Sequence, residues 1–508
     1  MARKIIVIGA GPGGMAAALQ LAGKGYDVHV YEKQKYIGGR NSSFEMNGFT
    51  FDLGPTFLSM VHLAEEIFEE SGKNLYDYLD LKEIDDMYEL IFDDKSLHMT
   101  RDPEEMKRRI EAFAPGDGKG YMAFIKDTEK KMERLTPILQ NRMDRFRHYL
   151  SWRVLRAIPK LTLTKSLYDV LSKYFHDERV KLAFTFQSKY LGMSPWECPG
   201  AFSILSYMEH AYGVYHPIGG VNQLPKAMAK AFEELGGTIH LGQGVDKLIL
   251  DGRKVKGVKL QSGEEVPADE VVINGDFGHA VTNLVEEGSL KKYAREKLDR
   301  KKFSCSTFMI YLGVDKKFDL PHHTILFSED YKKYVEEITK SYSLPEDLSI
   351  YVQNASVTDP TLAPEGKSAL YILAPVPSNM SAIDWDKEKG AFRDLMLKTL
   401  HERTEFKDLE MHIEEERILT PKDWENEIFV YKGATFNLAH NLTQMMVLRP
   451  HNEFEELDHA WLVGGGTHPG SGLPTILESA RITANMIHEK HGGKTVTYKS
   501  GKRMGKAL

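Results

Sequence analysis

The chain has 508 residues, 42% of them hydrophobic and 27% charged, with a formal net charge of −7. These values describe an ordinary globular protein with roughly two or three structural units, and the negative charge argues against a general nucleic-acid binder. Two cysteines, Cys198 and Cys305, are too few for a disulfide framework, which indicates a reducing, cytoplasmic location. Neither has a metal-ligand pattern beside it, so we expect buried thiols and no metal. The sequence contains no run of about eighteen apolar residues, so it predicts no membrane-spanning helix.

The stretch from Lys4 to Glu32 predicts a strand, a glycine-rich turn, a helix and a second strand. The β-branched run 5–8 is too short for a helix and apolar on both faces, as a buried parallel strand requires. Glycines then follow at the G-x-G-x-x-G spacing, which permits a tight turn, a close approach to a pyrophosphate and close helix packing. The phosphates are expected on N–H groups at the helix N-terminus. The candidate cofactor-binding residues of this turn are Gly9, Gly11, Pro12, Gly13 and Gly14.

The second predicted strand ends at Glu32, roughly twenty residues after the glycines, where this fold places an acid against the ribose of an adenine dinucleotide. An acid at this position disfavours a 2′-phosphate. Lys33, its neighbour, is also a candidate cofactor contact. The alternative interpretation is a signal peptide, because Arg3 and Lys4 precede an apolar stretch, but the glycines and the proline in its middle argue against one.

A second group of small residues follows this unit. Gly38 and Gly39 allow a close backbone approach, and Arg40 is a fixed cation for a phosphate or a carboxylate; a surface ion pair is the alternative for Arg40. Residues 49–53 predict a short strand, which Gly54-Pro55 ends. Loops at such strand ends face the ligand in sheets of this kind.

The opening unit, the GGR triplet at 38–40 and the sequence DLGPTFL at 52–58 resemble the flavoprotein desaturases of carotenoid biosynthesis, within the wider group of amine-oxidase-like flavoproteins. The resemblance implies an α/β fold with a Rossmann-type domain whose first unit binds the ADP half of FAD. It also implies that segments like 38–40 and 54–56 line the rest of the cofactor. The candidates that it adds are Gly39, Arg40, Gly54, Pro55 and Thr56.

From about Val61 to Tyr215 the sequence becomes charged and glycine-poor, which predicts an inserted helical region. Within it, residues 141–174 carry eight Lys and Arg against two Asp, a net charge of +6, interleaved with aromatic and aliphatic residues. This combination is typical of an interfacial membrane segment, and a solvated basic helix face is the alternative. Because the resemblance implies a lipid-soluble substrate, we favour peripheral contact with the inner face of the cell membrane. Glu209 is a candidate catalytic base, with a solvated helix face as its simpler interpretation.

At His216 the chain is expected to return to the nucleotide-binding domain. The pair Gly219-Gly220 precedes an amphipathic helix, and strand-like pieces follow at 238–241, with a continuation through 244–249. The resemblance implies that the backbone near Val245 holds the adenine. A purely structural meander is the alternative for Val245.

Residues from about 288 to 459 predict a mixed α+β domain for the substrate. Its strand-like runs at 303–314 and 368–376 are rich in Ile, Phe, Tyr, Leu and Met. They could form the floor of an apolar tunnel or simply a core, and core is the default expectation.

The last informative stretch, HAWLVGGGTHPGSGLP at 459–474, predicts a strand, two glycine-rich turns and a helix that begins near Leu473 or Pro474. The positive end of that helix favours negative charge on a reduced isoalloxazine ring. The stretch resembles the C-terminal flavin motif of the same desaturases. The candidates in it are Gly465, Gly466, Gly472, Leu473 and Pro474. His468 is a weaker catalytic candidate, and we favour for it the structural role of satisfying a loop carbonyl.

The predicted organisation is discontinuous. The ranges are 1–60, 216–287 and 460–490 for the FAD-binding domain, 61–215 for the mainly helical insertion, 288–459 for the substrate-binding domain and 491–508 for a basic, disordered tail. In this arrangement the turns at 9–14 and 464–474 close around opposite ends of one FAD.

The resemblance covers nearly the whole chain and implies FAD-dependent desaturation of 4,4'-diapophytoene towards diaponeurosporene or diapolycopene. Hydride would pass from an allylic carbon to flavin N5. The sequence has no second dinucleotide motif and no CxxC pair, so we expect a small electron acceptor such as oxygen or a quinone. Three alternatives stay open: an oxidase of the terminal methyl groups of a diapocarotenoid, an amine oxidase, and a non-enzymatic GDP-dissociation inhibitor that binds prenylated GTPases.

Overall fold

The computed structural model describes residues 2–157, 159, 161–162 and 164–495. In chain order its strands are β1 (Lys4–Ile8), β2 (Asp27–Glu32), β3 (Ser43–Met46), β4 (Phe49–Asp52), β5 (Leu81–Glu83), β6 (Asp86–Ile91), β7 (Ser96–Thr100), β8 (Tyr215–Pro217), β9 (Thr238–Leu241), β10 (Val245–Asp251), β11 (Lys254–Leu260), β12 (Glu265–Pro267), β13 (Glu270–Ile273), β14 (Ser306–Val314), β15 (His323–Leu326), β16 (Ile350–Asn354), β17 (Ser368–Val376), β18 (Ile413–Leu419) and β19 (Ala460–Leu462). Its α-helices are α1 (Pro12–Gly23), α2 (His62–Glu70), α3 (Pro103–Phe113), α4 (Gly118–Leu139), α5 (Phe146–Tyr149), α6 (Trp152–Ala157), α7 (Leu167–Leu171), α8 (Glu178–Ala183), α9 (Ile204–Tyr212), α10 (Gln223–Glu234), α11 (Phe277–Asn283), α12 (Arg295–Asp299), α13 (Tyr331–Glu336), α14 (Trp385–Arg403), α15 (Pro421–Asn426) and α16 (Leu473–Lys490).

β1 lies at the centre of a five-stranded parallel sheet with the order β19-β13-β1-β2-β9. Ile5 and Val7 belong to the same apolar core as α1 and α16, whereas Ile6 belongs to the core that includes β10 and β11. The strand is therefore covered on both faces, which is why it reads as a continuous β-branched run. This sheet confirms the predicted α/β fold with a parallel, Rossmann-type sheet.

The expected continuation of β9 into residues 244–249 is wrong. Gly242 adopts a φ of +69°, and the chain turns there out of the parallel sheet. β10 then pairs antiparallel with β11, and β11 with β12, in a separate three-stranded sheet. Val245 is the first residue of this second sheet, opposite Leu260.

A seven-stranded mixed sheet has the order β18-β14-β17-β16-β15-β6-β7. Its last two strands come from residues 86–100, inside the range that was expected to be mainly helical. The charged residues of this stretch gave it a helical appearance, but Met87 and Leu90 point into the core from β6, as Leu97 and Met99 do from β7. β6 pairs in parallel with β15, so tertiary pairing decides its conformation.

The long central strands of this sheet are core, as the default expectation had it. Phe308 and Ile310 on β14 pack with α14, for example with Trp385. Residues from the opposite face of β14, Met309 and Tyr311, pack in a cluster with β4 and α15. Apolar contacts therefore cover both faces of β14, and this strand is not the floor of a tunnel.

The basic segment 141–174 forms short helices with an exposed apolar surface. Among its residues Phe146, Leu150, Trp152 and Leu155 are 72%, 58%, 67% and 45% exposed, and we call these four the apolar patch. Arg145 and Arg147 beside them are also exposed. Within the described residues no helix has both the length and the apolar character needed to cross a bilayer.

Part of the basic segment and most of the basic tail lie outside the described residues. In the segment these positions are Ile158, Lys160 and Leu163, and in the tail they are 496–508. The predicted disorder of the tail and the domain boundaries stay predictions.

Candidate functional site

The first glycine turn forms as the spacing predicts. Gly9 has a φ of +98°, and α1 begins with Pro12 at its first position. A Cβ atom on Gly14 would lie 2.1 Å from the carbonyl oxygen of Gly9, so only glycine permits this approach of helix to strand. No side chain among the described residues caps this helix, which leaves its first N–H groups directed at a potential anion.

Glu32 supports this turn from the end of β2. Its Oε2 accepts a hydrogen bond from the N–H of Ala10 at 2.7 Å, and its Oε1 accepts from the N–H of Gln34 at 2.8 Å. Burial raises the pKa of Glu32, against smaller opposite effects of these hydrogen bonds. Each carboxylate oxygen keeps acceptor capacity for a ribose hydroxyl. The Lys33 ammonium lies 3.1 Å from the ring centroid of Phe429, a cation–π contact.

The two glycine turns meet at Asn274, directly after β13. Its Nδ2 donates to the carbonyl oxygen of Gly9 at 3.3 Å. A Cβ on Gly13 would lie 2.6 Å from Asn274 Oδ1 and 2.8 Å from Val463 Cγ1, and one on Gly464 would lie 3.3 Å from the same Oδ1. Sequence reasoning did not single out Asn274, although a polar residue at the carboxyl end of a predicted parallel strand is a usable signal.

Two buried side chains hold the second turn from behind. Arg449, only 1% exposed, donates from Nη2 to the carbonyl oxygen of Gly465 at 2.5 Å and from Nε to that of Thr467 at 3.1 Å. Burial lowers the pKa of Arg449 to about 10, so it stays charged at neutral pH. His440 Nε2 accepts the N–H of Ser471 at 3.0 Å. Sequence reasoning missed both residues, because no local pattern connects them to the turn.

α16 begins at Leu473, after Gly472 with a φ of +109°, and Pro474 lies in its first turn. Like α1, it has no side-chain cap among the described residues. Gly472 is exposed, and Leu473 and Pro474 are partly exposed, which leaves the positive end of an 18-residue helix open at the second turn.

His468 lies in the second glycine turn, and its side chain hydrogen-bonds a backbone carbonyl group. Its ring Nε2 is 3.1 Å from the carbonyl oxygen of Asn141. Burial lowers the pKa of His468 to about 4, so the imidazole is neutral at physiological pH. The residue therefore connects the second turn to the start of the basic segment.

The mixed sheet fixes the loop at 53–56 through tyrosine hydroxyls. Tyr371 donates to the carbonyl oxygen of Gly54 at 2.8 Å, and Tyr351 donates to Thr56 Oγ1 at 2.7 Å. A Cβ on Gly54 would lie 2.5 Å from the carbonyl oxygen of Arg40, so the two predicted segments cross there. Gly54 and Pro55 remain partly exposed at the crossing.

The guanidinium group of Arg40 binds two other parts of the chain. Its Nη1 donates to the carbonyl oxygen of Thr435 at 3.0 Å, and its Nη2 lies 3.4 Å from Asp276 Oδ2. Burial raises the pKa of Asp276, and the Arg40 charge opposes that shift. Arg40 thus forms a partly buried ion pair with a carboxylate. The sequence had left open a ligand contact and a surface ion pair.

Glu209 is not solvated, and the simpler interpretation of it is wrong. The residue lies on α9 with 5% exposure, and its Oε2 accepts from Gln187 Nε2 at 2.8 Å. The Tyr88 side chain on β6 also lies near this carboxyl group and lowers its pKa. Burial raises the pKa of Glu209 to about 8, against smaller opposite effects of Gln187 and Tyr88. The helix face is buried because α9 packs against α4 and residues 186–191 rather than against water.

Comparison with known proteins identifies the family of this chain. Residues 12–488 match the family model described as Flavin containing amine oxidoreductase. The chain belongs to this flavin-containing amine oxidoreductase family. The flavoprotein is 48% identical to a 4,4'-diapophytoene desaturase (4,4'-diapolycopene-forming) of Methylomonas sp over 489 residues, which are 96% of each chain. It is 37% identical to a zeta-carotene-forming phytoene desaturase of Myxococcus xanthus, over 96% of this chain and 94% of the relative.

A solved structure of an oxidoreductase from Methanosarcina mazei shares the fold of this flavoprotein. Its TM-score is 0.62 at 18% identity, and the match covers 96% of this chain and 100% of that one. Among the described residues, no group of three or more His, Cys, Asp or Glu side chains is arranged to hold a metal ion.

Proposed function

We propose that this flavoprotein binds FAD and desaturates 4,4'-diapophytoene to diaponeurosporene or diapolycopene. The observation that carries the proposal is the meeting of the turns at 9–14 and 464–474 on Asn274, in a chain 48% identical to a desaturase of that substrate. Each of the two turns leads into a helix without a side-chain cap among the described residues, and a dinucleotide with a redox ring at one end would use both helix ends.

The residues present fit FAD. The N–H groups at the start of α1 would hold the pyrophosphate, and Glu32 would hold the ribose hydroxyls. Gly14 has no room for a Cβ atom, so the start of α1 can pack closely against the end of β1. The positive end of α16 at Leu473 would face the ring, and Val245 would lie near the adenine, as in the resembling family.

When bound, FAD would supply the two-electron oxidation, as acceptor of a hydride from an allylic carbon of the polyene. The chain's own contribution is placement and exclusion of water. The 53–56 loop, held by Tyr351 and Tyr371, would fix one wall of the reaction space. An all-hydrocarbon substrate offers no polar handle, so we expect the shape and length of an apolar space to select it. Oxygen or a quinone would reoxidise the flavin.

We further propose that the apolar patch contacts the inner face of the cell membrane, where the substrate resides. Its four exposed side chains lie beside the exposed Arg145 and Arg147, and this pairing of apolar and cationic groups suits anionic lipid. Asn141, at the start of the basic segment, accepts a hydrogen bond from His468 of the second turn. This hydrogen bond connects the segment that carries the apolar patch to the proposed flavin site.

Two experiments test the function. The absorbance spectrum of purified protein should show oxidised flavin, and Gly11→Val should remove it, because a side chain there would fill the space beside Asn274 Nδ2, which is 3.0 Å from a Cβ on Gly11. Expression in cells that make 4,4'-diapophytoene should give a pigment lighter than the substrate by pairs of hydrogens. A product that gains oxygen would instead identify an oxidase of terminal methyl groups, and a colourless protein would favour a prenyl-protein binder.

A further inference from the structure

A buried carboxyl group that the proposed function has not used lies between the helical insertion and the mixed sheet. Glu209 contacts Gln187 and Tyr88, and no Lys or Arg among the described residues forms an ion pair with it. A buried acid is usually paired with a cation or bound by several donors. One retained without a cation, in a protein with an apolar substrate, is a candidate for proton transfer.

Aromatic side chains connect the surroundings of Glu209 with the 53–56 loop and with the second glycine turn, the two halves of the proposed flavin site. The ring of its partner Tyr88 lies 6.0 Å from that of Phe57, the residue after Thr56 in the loop of the reaction space. On the other side, the ring of Phe202, just before α9, lies 6.5 Å from that of His440, which accepts the Ser471 N–H of the second turn. The wall that holds Glu209 therefore extends from one half of the site to the other.

We propose that the Glu209 carboxylate accepts the proton that the substrate loses on desaturation, with Gln187 and Tyr88 as positioning residues. The inference rests on the proposed function. Next to the carbon that gives up a hydride to the flavin, a second C–H bond breaks. Its proton forms a bond to a Glu209 oxygen, and its electron pair becomes the second bond between the two carbons. The carboxylic acid later returns the proton to solvent when oxygen or a quinone has taken up the two electrons.

The other titratable groups around Glu209 keep one state from about pH 6 to 9. Burial lowers the pKa of His323 on β15 to about 3 and that of His210 on α9 to about 4, so both are neutral. Burial raises the pKa of Tyr351 on β16 and of Tyr121 on α4 above the usual value of about 10, so both stay protonated. Tyr88 on β6 lowers the pKa of the carboxyl group, against the larger effect of burial. Burial also raises the pKa of Asp52 to about 6, at the lower limit of this range. The part of the titration that Glu209→Gln removes therefore reports on Glu209.

Glu209→Gln is the discriminating variant. Glutamine has the shape of the protonated acid and can still accept from Gln187 Nε2, so folding and flavin content should persist. Anaerobic mixing of the holoenzyme with 4,4'-diapophytoene in liposomes should bleach the wild-type flavin, and the variant should be slower by about 100-fold or more, the range of a lost general base. Glu209→Asp should recover part of the rate. Glu287→Gln, at an exposed position, is the control and should match the wild type.

A second measurement does not depend on turnover. Infrared difference spectra of the substrate-free holoenzyme between pH 6 and 9 should contain the carbonyl band of a protonated carboxylic acid that Glu209→Gln lacks, and the wild-type bleaching rate should rise with pH over the same range. A Gln variant that is as fast as wild type, or a band that it retains, would overturn the proposal. A wild-type flavin that stays oxidised with substrate would overturn the proposed function, and this inference with it.

Discussion

Asn274 donates its side-chain amide to the carbonyl oxygen of Gly9 across 265 positions of sequence. The same amide group lies within contact distance of Cβ positions on Gly13 and Gly464, so one small polar side chain touches both glycine turns. A Cβ atom on Gly13 would clash with this amide group, and one on Gly464 would crowd it. This crowding gives the glycine pattern a direct structural meaning and leads to a sharp test.

Gly14→Ala should abolish flavin binding, because its Cβ would lie 2.1 Å from the carbonyl oxygen of Gly9 and must push α1 away from β1. Gly390→Ala is the matched control, since that glycine is exposed within α14 and nothing lies within 4 Å of its Cβ position. The control should keep its flavin and gain about 0.5–1 kcal/mol of stability. Flavin absorbance per mole of purified protein measures both. A yellow Gly14→Ala protein would contradict the assignment of the pyrophosphate site.

Glu270→Gln should destabilise the fold without changing the flavin spectrum. The carboxylate of Glu270, fully buried at the start of β13, accepts from Trp461 Nε1 at 2.7 Å and pairs with Lys490 Nζ at 2.8 Å and His491 Nε2 at 2.9 Å. The variant loses charge-assisted hydrogen bonds worth about 1.5–3 kcal/mol each. Denaturant unfolding at neutral pH measures the loss.

The same carboxylate should make stability depend on pH. Burial raises the pKa of Glu270, but the bonds from Lys490 and Trp461 outweigh that effect and leave it lowered. Its stabilisation is therefore present above about pH 4.5, the ordinary range of a glutamate, and is lost as the pH falls further. Glu270→Gln should flatten this acid limb of the stability profile. An equally steep acid limb in the variant would count against the role of this carboxylate.

Glu209 should act on stability with the opposite sign. Its folded pKa of about 8 lies above the unfolded value, so the protonated acid is favoured by folding. The wild type should then lose about 1.4 kcal/mol per pH unit, relative to Glu209→Gln, as the pH rises from about 5 to about 8, and the difference should level off above that. Denaturant unfolding of the two proteins across this range gives the curve. Parallel curves would indicate an ordinary pKa.

Phe146→Ala and Trp152→Ala should each weaken binding to anionic liposomes by about tenfold or more, because burying such a side chain is worth about 1.5–3 kcal/mol. Added salt should weaken the remaining binding, since Arg145 and Arg147 interact with charged headgroups. Met411→Ala removes an equally apolar residue, 78% exposed, outside the patch and serves as control. Liposome co-sedimentation measures all three. Equal sedimentation of the three variants would exclude the patch as the lipid contact.

The sequence was informative where local pattern and tertiary structure agree. The strand 368–376 and the helix start at Leu473 match the structure, because continuous apolar runs and glycine–proline punctuation determine them locally. Residues 86–100 were misread, since their strand conformation depends on pairing with β15 far along the chain. Arg449 carries no local signal for the same reason. It bonds to carbonyl oxygens of residues 465 and 467 only after the chain has folded back.

Besides long-range contacts, the sequence did not show which polar side chains are buried. Glu209 looks like a surface glutamate in its helix, and only the packing of α9 against α4 and residues 186–191 removes it from water. Burial of this kind changes the pKa of a side chain, and such changes matter most for a reaction. They follow from what lies opposite a residue and not from what lies beside it in the chain.

The parallel sheet begins with β1 near the amino terminus and ends with β19, some 450 positions later, followed directly by α16. During synthesis the ribosome therefore releases the turn at 9–14 long before the segment that completes the parallel sheet. If the two turns hold one FAD, as proposed, we expect cofactor loading to follow the synthesis of α16. Deletion of α16 should then yield a chain that accumulates without colour, whatever the supply of riboflavin to the cell.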